Sequence, residues 1–250
     1  MLQAFIVVLR EGFEAFLIVA VTLAFFSRVK RADLVPAVYG GTLASIGTSI
    51  LLGVWLWRQA PGPLWEALSG FVSALLVTGL VLHVWRHARH FKSDMEKDLA
   101  RNLSLKSPRA VWFGVFFFTV LMISREGMEM VLLLLQIQEP RIVTGIGLGI
   151  LGALALSLAW VRWGSLLPVR SFFEVTSLYL LLFVIQILIF SFHELTETGL
   201  IPAAESLHKA TEPFSPEGYY GQWFPAASIV LCLIWLVTGK LRERFSQSRA

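Results

Sequence analysis

Two copies of one charged five-residue motif lie within apolar stretches of this chain. The first copy is Arg10-Glu11-Gly12-Phe13-Glu14, and the second is Arg125-Glu126-Gly127-Met128-Glu129. A charged side chain at the centre of a bilayer costs about 2.5–3.5 kcal/mol, so charges in such positions need a compensating function. Because acidic residues outnumber basic ones in both motifs, the pattern predicts that they bind a cation.

The spacing within each motif places its two carboxylates on the same side of a helix. Residues three apart are neighbours on a helix surface. Gly12 and Gly127 lie between the glutamates and carry no side chain, so we expect the two motif helices to cross closely. The predicted metal site then consists of four carboxylates around one volume, those of Glu11, Glu14, Glu126 and Glu129.

Carboxylate oxygens favour hard metal ions. Iron(III) fits such a site well, while iron(II), manganese, magnesium and calcium are also chemically possible. Arg10 and Arg125 are placed to pair with Glu14 and Glu129 at i,i+4, which lowers the net negative charge and keeps binding weak enough for release. The alternative is that these residues only form buried ion pairs between helices. Such pairs are poor sources of net stability, and they do not explain the surplus of acids.

The composition indicates that membrane helices carry these motifs. The chain has 250 residues, of which 56% are hydrophobic and only 15% are charged, whereas soluble domains carry about 25% charged residues. A helix needs about 20 apolar residues to span a bilayer. Seven such runs lie near 2–26, 36–57, 64–85, 110–138, 142–161, 172–193 and 223–239. The predicted fold class is therefore an all-α polytopic membrane protein with seven transmembrane helices.

The motifs belong to a longer internal repeat. They lie in the first and fourth predicted spans, so their helices run in opposite directions through the membrane. Two stripes of small residues, which permit close helix packing, occupy the next span in each case. The stripes are Gly41, Ser45, Ser49, Gly53 and Gly145, Gly149, Ala153, Ser157. We predict two inverted three-helix repeats plus a seventh helix, an architecture that places a substrate site near the midplane.

The predicted transmembrane domain, 1–250, consists of these two repeats and two further parts. We predict repeat A at 1–90, repeat B at 108–200, an outer loop at 200–222, and the seventh helix with a cytoplasmic tail at 223–250. Three prolines and a glycine predict that the outer loop lacks regular helix through much of its length. They are Pro202, Pro213, Pro216 and Gly218.

The basic residues are distributed unequally between the two sides of this topology. Sixteen of the 21 lysines and arginines lie on one side. Because cytoplasmic loops are enriched in basic residues, the N-terminus is predicted outside and the C-terminus in the cytoplasm. Glutamates at the outer end of the sixth span and beyond it are expected to attract cations. They are Glu194, Glu197, Glu205, Glu212 and Glu217.

At these motifs the chain resembles the oxidase-linked high-affinity iron permease family. The hallmark of that family is an Arg-Glu-Gly-Leu-Glu motif in the first and fourth of seven spans. Phe13 and Met128 replace the leucine, and every charged position is retained. The segment His193-Glu194-Leu195-Thr196-Glu197-Thr198-Gly199 is similar to the end of the family's sixth span.

The resemblance implies a high-affinity iron permease that moves iron inward across the plasma membrane, here the bacterial inner membrane. It implies that the four motif glutamates form the translocation site with support from Arg10 and Arg125, and that His193, Glu194 and Glu197 receive iron at the outer mouth. Iron is then the substrate, and no cofactor is permanently bound. The implied partners are the lipid bilayer and a separate oxidase or periplasmic iron-handling protein, with no nucleic acid. The family does not decide between iron(II) and iron(III).

Other functions stay open from the residues alone. A transporter of another divalent cation, or a proton-coupled carrier, would use the same glutamates. A membrane haem oxidoreductase would need axial histidines at matching depth on facing helices. His83 and His87 are predicted in the leaflet opposite His193, so the sequence predicts a transporter rather than an enzyme. Energy coupling, oligomeric state and the roles of His83, His87 and Glu205 are not determined by the sequence.

Overall fold

The computed structural model of the chain is built from α-helices. It describes residues 1–58, 62–87, 91–103, 107–137, 141–163, 169–198, 204–215 and 218–247. Nine α-helices lie within these residues: α1 (Leu2–Arg28), α2 (Val35–Trp57), α3 (Pro63–His87), α4 (Phe91–Leu103), α5 (Pro108–Leu135), α6 (Ile142–Trp163), α7 (Val169–Glu197), α8 (Ala204–Thr211) and α9 (Phe224–Gln247). Short 3-10 helices occupy Ala32–Leu34, Glu212–Phe214 and Gly221–Trp223. The predicted all-α class is confirmed.

Seven of the helices overlap the seven apolar runs of the sequence. In the described part of the chain, three segments are long and apolar enough to cross a membrane, namely Ala32–Trp57, Ile142–Trp163 and Phe172–Glu197. Shorter apolar segments lie at Pro63–Gly79 and Gly221–Leu236. The helices α1 and α5 carry the charged motifs and are not among the three. The helix positions are as expected, whereas the number of seven spans stays a prediction.

Two helices lie where the sequence indicated connecting loops. α4 packs through Leu99, which is completely buried in an apolar cluster with Phe26 and Val115. α8 occupies part of the outer loop, which was expected to lack regular helix through much of its length. Pro202 and Pro213 lie on either side of α8 in the sequence and do not interrupt it.

The start and end of the motif helices have local causes. Pro108 lies in the first turn of α5, where its missing N–H leaves no helical hydrogen bond unmade. α1 ends in a left-handed turn at Lys30, with φ at 57°. There the N–H of Lys30 donates to the carbonyl oxygen of Ser27 at 3.3 Å, and that of Arg31 donates to Phe26 at 2.9 Å. These two bonds satisfy carbonyl groups that the end of a helix leaves open.

The helices form two compact units. The first unit contains α1, α2, α4, α5 and α6, and the second contains most of α3 with α7, α8 and α9. The first unit therefore combines the first two helices of each predicted repeat.

Within the first unit, the small-residue stripe of α2 packs against α5. The Ser45 hydroxyl donates to the carbonyl oxygen of Val120 at 3.1 Å. A Cβ added at Gly41 would lie 2.8 Å from the Thr119 Cβ. The stripe allows this approach because it has no bulky side chains.

The stripe of α6 packs against α1 in the same way. A Cβ at Gly149 would lie 2.7 Å from the Val8 Cβ and 3.0 Å from the Phe5 carbonyl oxygen. A Cβ at Gly145 would lie 2.9 Å from the Ala4 Cβ. The second helix of each predicted repeat therefore packs against the motif helix of the other repeat. We call this arrangement crossed packing.

The motif glycines take part in this crossed packing. A Cβ at Gly12 would lie 3.0 Å from the Ala153 Cβ on α6, and a Cβ at Gly127 would overlap the Ser49 side chain on α2. The sequence suggested that these glycines let α1 and α5 cross each other. In the structure, the close contacts that they permit are with α6 and α2.

The faces of α2 and α6 away from these contacts carry large apolar side chains. Exposed residues include Leu43, Ile50, Leu51 and Trp57 on α2, and Val143, Leu151, Leu158 and Val161 on α6. An apolar surface of this extent would be unfavourable in water. Small residues inside and large apolar residues outside are typical of helices packed in lipid.

Gly149→Ala should destabilise the first unit, whereas Gly147→Ala on the same helix should not. The new methyl group at position 149 meets Val8 and a backbone oxygen, while nothing lies within 4 Å of a Cβ at position 147. Overpacking of this kind costs about 1–3 kcal/mol. Thermal unfolding of the detergent-solubilised proteins would measure the difference, and equal midpoints for the two variants would contradict the packing.

Candidate functional site

The two charged motifs come together in the first unit. Glu11 on α1 and Glu126 and Glu129 on α5 each place a carboxylate oxygen within 4.8 Å of the others. Glu11 is completely buried, and Glu126 nearly so. Oxygens this close have a common point within about 2.8 Å of all three, and metal–oxygen bonds of hard cations are about 2.0–2.6 Å long. Small side-chain movements would therefore let one cation bind all three.

Each of these glutamates has one buried oxygen that lacks a hydrogen-bond partner among the described residues. The three atoms are the Oε2 oxygens of Glu11, Glu126 and Glu129. Buried polar atoms are nearly always paired, so three unpaired oxygens in one group require an explanation. Charges about 4 Å apart repel by about 4 kcal/mol at an effective dielectric constant of about 20. A cation would supply the missing partner and remove this repulsion.

Arg10 holds the two glutamates of its own motif. Its Nη1 lies 2.5 Å from Oε1 of Glu11, and its Nη2 lies 2.7 Å from Oε1 of Glu14. The contact with Glu14 is an ion pair that lacks hydrogen-bond geometry. The Arg10 side chain is completely buried, so it is a fixed positive charge beside the group.

Arg125 pairs with only one glutamate of its motif. Its Nε donates to Oε1 of Glu129 at 3.0 Å, and 43% of its side chain is exposed. Both i,i+4 pairs indicated by the sequence are therefore present. The arginines hold one oxygen each of Glu11 and Glu129, and the second oxygen of each of these carboxylates is left without a hydrogen-bond partner in the described part of the chain.

The fourth motif glutamate lies beside this group. Glu14 is held by Arg10 and lies within electrostatic range of Glu126 and Glu129. The structure thus brings three of the four predicted ligands to one point and places Glu14 next to them.

The predicted outer-mouth residues lie at the end of α7, in the second unit. His193 is buried, Glu194 is half-buried and Glu197 is exposed. His193 and Glu197 have ligand atoms within 4.8 Å of each other, and His208 on α8 completes a group of three. Glu194 is not part of this group, as the structure describes it.

His208 is the residue of this group that the sequence did not reveal. It lies in the outer loop, which was expected to lack regular helix through much of its length, and nothing in its spacing from His193 indicates a contact. The nearby Glu205 pairs with Lys209 at 2.8 Å on the exposed side of α8. The side chains of His83 and His87 lie outside the described residues.

Comparisons with known proteins identify relatives of this chain. The profile of the iron permease FTR1 family matches residues 1–203. The ferrous iron permease EfeU of Yersinia pestis is 27% identical over 192 residues, which cover 72% of this chain and 67% of the relative. The protein of the same name from Escherichia coli O6:H1 (strain CFT073) is 28% identical over 194 residues, covering 72% and 68%. An uncharacterized protein of Archaeoglobus fulgidus is 26% identical over 204 residues, covering 79% and 71%.

No solved structure matches the chain significantly. The family match includes both charged motifs and all of α1 to α7, and it ends before His208. Together with the apolar helices, this match makes the chain a multi-pass membrane protein. It belongs to the iron permease FTR1 family.

Proposed function

We propose that this chain carries ferrous iron inward across the bacterial inner membrane and binds it at Glu11, Glu126 and Glu129. The observation that carries the proposal is the meeting of these glutamates from two helices, each with one buried oxygen that lacks a hydrogen-bond partner in the described residues. Oxygen ligands alone accept several hard cations. The choice of ferrous iron follows the relatives, which are described as ferrous iron permeases.

The proposed site lies near the middle of a seven-helix membrane domain with inverted repeats. Glu11 lies nine residues after the start of α1, and Glu126 lies nine residues before the end of α5. At about 1.5 Å per residue, each is about 14 Å from its helix end, close to half the thickness of the hydrocarbon core. In antiparallel helices these two ends share one side of the membrane, and the predicted topology makes it the outer side.

The crossed packing of the first unit supports the inverted repeat. Ser49 and Ala153 are the third residues of their stripes, and they meet Gly127 and Gly12 respectively. Equivalent positions of the two repeats thus make equivalent contacts. A two-fold relation between the repeats accounts for this correspondence.

The net charge of the site suits a divalent ion that is first bound and then released. Four glutamates and two arginines carry a net charge of −2 when all are ionised, which one divalent cation neutralises. The membrane potential favours inward movement of cations by about 2.3 kcal/mol per charge for each 100 mV. A separate periplasmic iron-handling protein would deliver the iron(II) from outside, whereas an oxidase would produce iron(III) and does not fit a ferrous cargo. The chain then acts as a transporter and has no enzymatic step of its own.

Glu126→Gln should abolish iron uptake while the protein is still made and folded. The substitution keeps the side-chain volume and removes the charge that an ion needs, so we expect uptake to fall at least about tenfold. Uptake of radioactive iron(II) by expressing cells, normalised to the amount of permease in the membrane, would measure the effect. Parallel assays with iron(III), manganese and zinc would identify the cargo.

Glu96→Gln is the matched control, because Glu96 forms an exposed ion pair with Arg28 at 3.1 Å, away from the motifs. Its uptake should equal that of the unmodified protein. Normal iron uptake by folded Glu126→Gln protein would overturn the site, and preferential uptake of manganese or zinc would overturn the choice of iron.

The two arginines should differ in their contribution to stability, although their motifs are equivalent in sequence. Arg10→Gln leaves two buried carboxylates without their cation, and breaking such an ion pair costs about 3–5 kcal/mol. Arg125→Gln removes a half-exposed partner of Glu129, an interaction worth about 1 kcal/mol or less. Thermal unfolding without added metal should show a much larger loss for Arg10→Gln. Similar losses for both variants would contradict the burial difference.

A further inference from the structure

His193, Glu197 and His208 form a second group of metal-ligating side chains, within the second unit. His193 and Glu197 are four residues apart on α7 and therefore share one face, while His208 reaches them from α8. One ligand atom of each lies within 4.8 Å of the others. The two imidazole rings are stacked with centroids 4.3 Å apart, and Nδ1 of His208 lies 3.9 Å from Oε1 of Glu197.

The hydrogen bonds of His193 leave one ring nitrogen available to a metal. Its Nδ1 lies 2.8 Å from the hydroxyl oxygen of Thr211. That hydroxyl donates its proton to the carbonyl oxygen of Leu207 at 3.0 Å, so it accepts from His193. Nδ1 of His193 therefore carries the proton, and Nε2 has the free lone pair. Histidines that bind metals characteristically donate the other N–H to a fixed acceptor in this way.

A second threonine serves His208 in the same manner. The Thr196 hydroxyl donates to the carbonyl oxygen of His193 at 2.6 Å, and its oxygen lies 3.4 Å from Nδ1 of His208. Both rings thus direct Nδ1 toward a threonine oxygen whose own proton is used elsewhere. In a neutral ring that donates from Nδ1 in this way, Nε2 carries the lone pair that a metal ion could take.

The surroundings of this group are acidic. Glu66 on α3 lies within electrostatic range of Glu197, and Glu212 lies within range of His193. Three carboxylates, those of Glu66, Glu197 and Glu212, therefore lie in or near the group. A bound divalent cation would be attracted by all of them.

We propose that His193, Glu197 and His208 form a capture site for a divalent transition-metal ion. Two imidazoles and one carboxylate suit iron(II), zinc and similar ions, whereas magnesium and calcium prefer oxygen ligands alone. The capture site would therefore reject the magnesium and calcium that the all-carboxylate site accepts. Its three ligands leave open coordination positions through which the ion can be passed on. The identity of the ion as iron rests on the proposed function, and the binding site itself does not.

Anaerobic titration of the full-length protein in detergent with cobalt(II) would test the site. Cobalt(II) replaces iron(II) or zinc with similar ligands, and the position and intensity of its visible absorption report its coordination geometry and ligand field. We expect one cobalt ion to bind with this absorption in the presence of excess magnesium. His208→Asn should weaken that binding at least about tenfold, as should Glu197→Gln.

Thermal unfolding with and without cobalt distinguishes a lost metal site from a misfolded variant. Cobalt should raise the unfolding temperature of the unmodified protein, since an ion that binds only the folded state stabilises it. It should have little effect on His208→Asn, and His87→Ala should behave like the unmodified protein. Unchanged cobalt affinity in His208→Asn, or equal loss in His87→Ala, would overturn the capture site.

Uptake assays separate this proposal from the transport site. His208→Asn should transport iron(II) but become sensitive to inhibition by external calcium and magnesium. Glu126→Gln should lose uptake and keep the cobalt absorption. If Glu126→Gln loses the cobalt absorption as well, the capture site is wrong. If it keeps both the absorption and normal uptake, only the proposed transport site fails.

Discussion

The burial of like charges away from water is the constraint on which the first unit depends. Glu11, Glu126 and Glu129 are held together although their repulsion and desolvation both oppose it. Arg10 offsets part of this cost from within the group, since it is completely buried against two carboxylates. The remaining oxygens have no hydrogen-bond partner in the described residues, and the cation that we propose to bind there would supply one.

Close helix packing makes this arrangement possible. The stripes of α2 and α6 replace bulky side chains by glycine, serine and alanine along the surfaces that meet α5 and α1. Without a strong hydrophobic driving force inside lipid, such close contacts are the main source of helix association. Gly12 and Gly127 extend the same contacts into the motifs themselves. The helices that carry the charged residues are therefore positioned by contacts that involve no charge.

The two groups of potential ligands differ in chemistry in a way that suits two steps of transport. The group in the first unit has oxygen ligands only, which bind many hard cations and bind them reversibly. The group in the second unit adds two imidazoles, which discriminate against the abundant alkaline-earth ions. Selection and translocation place opposite demands on affinity, because a tight site is slow to release its ion. Under the two proposals above, separate groups of side chains would relieve this conflict.

Composition and local spacing determined the helical class, the positions of the seven apolar helices and the pairing of Arg10 and Arg125 within their motifs, because hydrophobic length and i,i+4 neighbours are properties of a single helix. The motifs also identified the family. Tertiary structure alone decided which glutamates meet, that Gly12 and Gly127 contact the stripes of other helices, and that His208 joins His193. Those contacts join residues far apart in the chain, and their choice depends on how whole helices pack, which no local spacing encodes.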